Sequence, residues 1–421
     1  MNDRIFIFLC CAFSSLLISS AWADKIQPYP IEDWAKRADM QNVSLSPDGN
    51  KLALLKIPSA EENPILEVYD ANDLSKKPFR MNASPMEITR FYWATDDKII
   101  FSARQVVRKK IDGFNDGVYK STSGILTLDK DPKKSKPPRK LRELGTGGIR
   151  GPIPGKPNKF LVYAYEKGSF SPIYYEYDVN TRKREMITRE SENVRNFSFD
   201  GYGNPQFARG YSGTTDEYLT YYRNKDTADW DVINRMHREN FESWRVFGVD
   251  PLSPEDLLVV AHNGANTAGL WSFDPKTRKY KELIYRRPDG DVFPIFHSNE
   301  YQYPDLITGI TYTEGREQKF EWFDGEEKAL YEQLQALIPN SDRMSISSRS
   351  RDGMSMVVFN RGPRDPGTYY LVKNGAIKVI GSQMPWFSSD RLADVKEIKY
   401  KSRDGKLIRG FITIPNSDGP H

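Results

Sequence analysis

Apolar and polar positions alternate along most of this chain. The pattern is broken every few residues by Pro, Gly, Asp or Asn, which predicts short strands joined by tight turns. A two-part unit recurs. Its first half is a turn followed by an apolar strand. Ser46-Pro47-Asp48-Gly49 precedes 51–55, Thr95-Asp96-Asp97 precedes 98–102, Lys156-Pro157-Asn158 precedes 160–165 and Asp200-Gly201 precedes 206–211. Ser253-Pro254-Glu255-Asp256 precedes 257–262, Tyr303-Pro304-Asp305 precedes 306–312 and Arg351-Asp352-Gly353 precedes 356–359. The second half is a strand that ends in a polar turn, as at Tyr69-Asp70, Leu128-Asp129, Asp178-Val179-Asn180-Thr181, Tyr222-Arg223-Asn224, Asp274-Pro275-Lys276-Thr277, Phe323-Asp324-Gly325 and Lys373-Asn374-Gly375.

Both halves occur seven times between residues 41 and 392, with a period of about 50 residues, in the range of propeller blades. One small sheet cannot bury both of its faces, whereas sheets stacked radially bury both and leave only short edges. A β-helix needs a much shorter period, and a sandwich of this length would not repeat seven times. The prediction is an all-β chain, a seven-bladed β-propeller over 41–392. Two insertions interrupt the rhythm. Residues 130–142 (KDPKKSKPPRKLR) are basic and Pro-rich and read as a solvated loop, with a docking patch as the alternative. Residues 326–338 have helical spacing with Leu330, Leu334 and Leu337 on one face, and predict a helix on the edge of blade six.

The chain ends differently. Two alternating runs, 395–401 and 407–414, flank Ser402-Arg403-Asp404-Gly405, and Asp-Gly between such runs is a strong hairpin signal. A hairpin needs a further strand or helix to be stable, so residues 393–421 read as the opening of a second, incomplete domain. At the other end, Arg4, an apolar run over 5–18 and Ala21-Trp22-Ala23 form a secretion signal over 1–23, with export to the periplasm or medium expected. The run is too short for a stable membrane anchor. Residues 24–40 form a lead-in, where Pro30 starts one or two helical turns.

Aromatic residues make up 13% of the 421, which favours strands over helices. Sixty-one basic residues against 57 acidic leave a charge of +4, too balanced to imply a nucleic-acid partner. Both cysteines, Cys10 and Cys11, lie in the signal, so the mature chain has no disulfide or thiol chemistry. No G-x-S-x-G elbow occurs, and Gly210-Tyr211-Ser212-Gly213 is only a partial match at a strand end. The four histidines, His237, His262, His297 and His421, have no zinc-site spacing, and His262 reads as an interior residue with its polar groups satisfied. The stretch 145–151 (GTGGIRG) lacks the Lys-Ser/Thr ending of a phosphate loop and reads as a blade connection. No catalytic, cofactor-binding or metal site is assigned, and no cofactor is expected.

Residues 43–53 (VSLSPDGNKLA), the run from Ser347 to Trp386 with its Pro366-Gly367-Thr368-Tyr369-Tyr370-Leu371, and residues 400–415 together resemble the prolyl oligopeptidase family of serine peptidases. The likeness is to its exported bacterial, acylaminoacyl-peptidase-like members. It implies that 393–421 begins an α/β-hydrolase domain whose Ser, Asp and His would follow beyond this chain. The intact protein would then hydrolyse short peptides, with this chain as its gating propeller, inactive alone. Glu61-Glu62 and Glu326-Glu327 do not match the surroundings of that family's amine-binding Glu pair, so the role is not transferred to them. The alternative is a self-sufficient periplasmic propeller that binds a protein or a glycan.

Overall fold

A computed structural model describes residues 28–59, 61–108, 118–129, 134–145, 147–191, 193–224, 227–240 and 242–414. The expected signal, both cysteines, His421 and part of the basic insertion lie outside the described residues. Seven antiparallel sheets succeed one another along the chain, six of four strands and one of three. They span 40–81, 87–140, 148–189, 195–237, 244–285, 293–322 and 343–382, and form a seven-bladed β-propeller.

The repeat read from sequence is the central hairpin of each blade. Second strands such as Leu257–Ala261 are buried at every position. Alternate residues of a strand face opposite sides, so a central strand with a neighbouring blade on each side must be apolar throughout. Leu257, Val259 and Ala261 pack toward blade four, while Leu258 and Val260 pack toward blade six. Seven apolar clusters fill the seven seams between successive blades, including the seam between blades seven and one, where Val357 and Leu371 meet Leu52 and Leu54. The ring is therefore closed, and no strand is shared between its first and last blades.

Outer strands such as Lys279–Tyr285 and Arg184–Arg189 contain no buried residue, which is why their sequences carry little apolar signal. The innermost strands are Met40–Leu45, Glu87–Trp93, Gly148–Pro152, Arg195–Phe199, Trp244–Val249, Phe293–Phe296 and Arg343–Arg349. Each shifts register against its second strand. Such bulges add twist and bend the strand, here at the narrow centre of the ring. Gly148–Pro152 is one of these strands, so only the first residues of the 145–151 stretch act as a blade connection.

In blade six the helix Gly325–Leu337 follows the third strand and stands in place of a fourth. Asp324 caps it, its carboxylate accepting from the amides of Glu326 and Glu327 at 2.8 and 3.0 Å. The buried face differs from the predicted one. It carries Glu327, Tyr331 and Leu334 and continues to Ile338, whereas Leu337 is 67% exposed. The stripe is rotated because Tyr331, Leu334 and Ile338 pack on Met344, Met356 and Val358 of blade seven.

The final strands, Val395–Lys401 and Leu407–Thr413, pair only with each other, with Gly405 at φ 79° in their turn. The lead-in contains the helix Ile31–Ala35. Among the described residues no helix is long and apolar enough to cross a membrane.

Candidate functional site

The innermost strands surround a cavity of about 1100 Å³, lined among others by Ser44, Arg90, Arg150, Tyr301 and Arg349. One mouth lies at the end where inner strands turn into second strands. In six blades that connection is four to seven residues long; in blade six it is ten, 297–306. This longer segment is a strap reaching to two other blades. Asp305 accepts a hydrogen bond from the amide of Gly201 in blade four. Asn299 Nδ2 donates to the carbonyl of Arg351 in blade seven at 3.2 Å, and the Arg351 guanidinium sits 5.8 Å from the centre of the Tyr301 ring. Any side chain at position 201 would collide with Pro304, so glycine is required there.

The strap positions a group of polar side chains on the cavity wall. Arg349, on the inner strand of blade seven, donates to Glu327 Oε1 at 2.8 Å and to Ser298 Oγ at 2.6 Å. Ser298 donates to Glu327 through both its hydroxyl and its amide, at 3.1 and 3.3 Å. His297 Nε2 lies 3.6 Å from Glu327, while its Nδ1 accepts from the amide of Asn299 at 3.0 Å. Burial lowers the His297 pKa, Glu327 pulls the other way, and Arg349 adds to the lowering. A neutral ring with its proton on Nε2 fits these contacts. Serine and histidine each meet Glu327 here, without the mutual hydrogen bond of a nucleophile and its base. The group ties the strap, the helix and blade seven together.

Beside it, Glu300 is open to the cavity yet walled by protein on most sides. That enclosure, and then the charge of Asp305, raise its carboxyl pKa. Burial pushes the Tyr301 hydroxyl up to about 12. Burial also raises Asp305, against the lowering effect of its Gly201 hydrogen bond.

The other residues singled out in the sequence are dispersed. His262 is satisfied, accepting from the Ser243 amide at 2.7 Å on Nδ1. Ser212 ends the second strand of blade four and accepts from Thr215 Oγ1 at 2.9 Å, while His237 is exposed at the end of an outer strand. Glu61 and Glu62 are exposed and do not line the central cavity, whereas Glu326 is exposed and Glu327 is committed to Arg349, so the second pair does not offer two free carboxylates. Among the described residues no cluster of His, Cys, Asp and Glu could hold a metal ion. Sequence reasoning missed the His297–Glu327–Arg349 group because its members come from three separated segments with no fixed spacing.

The terminal hairpin docks on the face opposite the strap. Arg409 Nη1 donates to the carbonyl of Asp289 at 3.2 Å, and Arg316 pairs with Asp394 at 2.9 Å. Asp289 lies in a connection between blades and Arg316 in a second-to-third strand turn, both at that end of the ring. Tyr400, Leu407 and Phe411 of the hairpin are 55, 61 and 58% exposed.

No protein-family model and no curated protein matches this sequence. Solved structures match its fold. A prolyl endopeptidase is 10% identical with a TM-score of 0.54, over 90% of this chain and 55% of that one. Prolyl oligopeptidase B from Galerina marginata, without ligand, is also 10% identical with a TM-score of 0.54, over 92% and 57%. The same protein bound to a 35mer hydrolysis and macrocyclization substrate is 11% identical with a TM-score of 0.51, over 89% and 55%. The chain thus has the fold of the prolyl oligopeptidase propeller and spans a little over half the length of these proteins.

Proposed function

We propose that this chain is the gating propeller of a serine peptidase that hydrolyses short peptides. The observation that carries this is the terminal hairpin, a sheet of its own seated on one face of a prolyl-oligopeptidase-like ring. An isolated two-stranded hairpin is marginally stable at best, and this one holds apolar side chains in solvent, which supports reading it as part of a larger sheet. In this reading an α/β-hydrolase portion continues from the hairpin and carries the nucleophilic Ser, the Asp and the His. The ring covers that site and restricts it to small or unfolded peptides, and this chain alone hydrolyses nothing. The N-terminal signal sends the protein to the periplasm or the medium.

The test is the DNA that follows codon 421. A segment encoding G-x-S-x-G-G is expected there. A stop followed by an unrelated gene would favour the self-sufficient binding propeller. Hydrolysis of acylpeptide or aminoacyl chromogenic substrates by the purified chain, blocked by a serine-directed phosphonate, would overturn the reading.

A further inference from the structure

Blade six has three strands where every other blade has four, so its third strand, Glu317–Trp322, ends the sheet. That strand turns back from the second across Gly315 and Arg316, with Glu314 opposite Glu317. Glu317, Lys319 and Glu321 therefore direct their backbone groups to the second strand, and the residues between them point the other way. Two contacts agree. The Lys319 carbonyl accepts from Thr311 Oγ1 of the second strand at 3.0 Å, whereas the Gln318 amide donates outward, to the carbonyl of Asp342 at 3.3 Å. Phe320 and Trp322 share the phase of Gln318, and among the described residues their outward amides and carbonyls have no partner. The helix Gly325–Leu337 follows this strand without covering its edge. Its buried side chains pack on blade seven, Tyr331 also meets the Phe320 and Trp322 rings, and it makes no backbone hydrogen bond to the strand. Between them lies a groove of about 580 Å³, with the strand on one side, Lys328, Glu332 and Gln335 on the other, and Ser341 and Asp342 at one end. Blades five and seven carry one strand more, Lys279–Tyr285 and Ala376–Ser382. In a radial array the edge of blade six thus lies about 4.8 Å, one strand spacing, inside theirs.

We infer that this groove is a site of β-strand addition: an extended segment of a separate polypeptide enters it antiparallel to Glu317–Trp322 and completes blade six as its fourth strand. A row of unpaired amides and carbonyls is a template for another backbone, and alternate side chains set the preference. The recess is one strand deep, which a single extended segment fills and the rim of a second ring does not reach. The outermost strands of other blades also present an unpaired edge, whereas this edge has the helix as a second wall. The side chains define the segment. Lys319 is already paired with Glu317. Glu321 accepts from the Tyr285 hydroxyl at 3.4 Å and, among the described residues, has no cation within ion-pair distance. A Lys or Arg opposite Glu321, at a position where facing side chains come closest, supplies one, and a β-branched residue packs opposite Phe320. This inference does not rest on the peptidase reading and holds for the chain with or without a hydrolase portion.

The test uses the purified chain and a fluorescein-labelled, C-terminally amidated hexapeptide, Thr-Val-Lys-Val-Glu-Val. In antiparallel register its lysine falls opposite Glu321 and its first two valines opposite Trp322 and Phe320. Fluorescence anisotropy should show saturable binding. Methylating the valine amides, which face the edge, should weaken it about tenfold or more, whereas methylating the lysine and glutamate amides, which face away, should change it by no more than about twofold. Hydrogen exchange of the Phe320 and Trp322 amides should be fast in the chain alone and slow once the peptide is added. Glu332→Trp, which fills the groove from the helix side, should weaken binding about tenfold at an unchanged melting temperature. Equal loss from the two methylated peptides, undiminished binding by Glu332→Trp, or no binding at all would overturn the inference. So would protection confined to another strand, such as those of the terminal hairpin. Slow exchange of the Phe320 and Trp322 amides in the chain alone would overturn it too, by showing that a segment of this chain or of a second copy already lies there. Should Glu332→Trp melt early, the methylated pair and the exchange pattern of the parent chain decide the matter.

Discussion

The amide of Asp39, just before the first strand of blade one, donates to the carbonyl of Gln383, just after the last strand of blade seven, at 2.7 Å. The ring is thus clasped at its ends without a shared strand. Aromatic side chains reinforce the clasp. Phe387 packs against Trp34 and Tyr29 with ring centres 4.4 and 4.7 Å away, and Trp386 Nε1 donates to the carbonyl of Asp33 at 3.1 Å. Phe387→Ala should destabilise the propeller by about 3 kcal/mol in urea denaturation, as for other buried Phe truncations. A loss below about 1 kcal/mol would mean that the apolar seam between blades seven and one suffices.

Arg349 and Glu327 form a buried pair with side chains 16 and 5% exposed. Arg349→Met leaves the Glu327 carboxylate without its cation and should cost about 3–5 kcal/mol. Arg349→Met/Glu327→Leu should recover part of that, because no uncompensated charge remains. Chemical denaturation of the two variants and the parent gives the comparison. A double variant less stable than Arg349→Met would show that Glu327 holds the strap through Ser298 more than through Arg349.

The raised pKa of Glu300 makes a pH prediction. A carboxyl whose folded pKa exceeds its unfolded one binds its proton more tightly in the folded state. Its contribution is therefore complete below the unfolded value and is lost as pH rises through the folded one. Thermal melts should show Glu300→Gln gaining on the parent above about pH 5 and matching it below about pH 4, the window set by the usual glutamate pKa. Equal melting temperatures at pH 7 would place the Glu300 carboxylate in better contact with solvent than the strap geometry implies.

The terminal hairpin exposes Tyr400, Leu407 and Phe411 together with the unpaired edges of its two strands. Exposed apolar edge strands seed association between chains. Deleting residues 395–421 should raise the soluble yield and delay light scattering at high concentration. An unchanged or lower yield would indicate that the bonds from Arg409 and Arg316 stabilise the ring more than the edge promotes aggregation.

The ring and its blade count were legible because one physical demand repeats. A central strand packed between two neighbours has to be apolar along its length, as Leu257–Ala261 is. Outer strands such as Arg184–Arg189 answer to solvent and left no comparable mark. The helix of blade six was legible in extent but not in orientation, since Tyr331 and Ile338 were chosen by the surface of blade seven rather than by leucine spacing. The cavity wall was illegible for a different reason. His297, Glu327 and Arg349 meet only after three elements have packed.

The strap from His297 to Leu306 also changes how this rim can move. With Asp305 fastened to Gly201 on one side and Asn299 to Arg351 on the other, blades four, six and seven are laced together like staves under one hoop, and any parting of the staves there has to undo the hoop first.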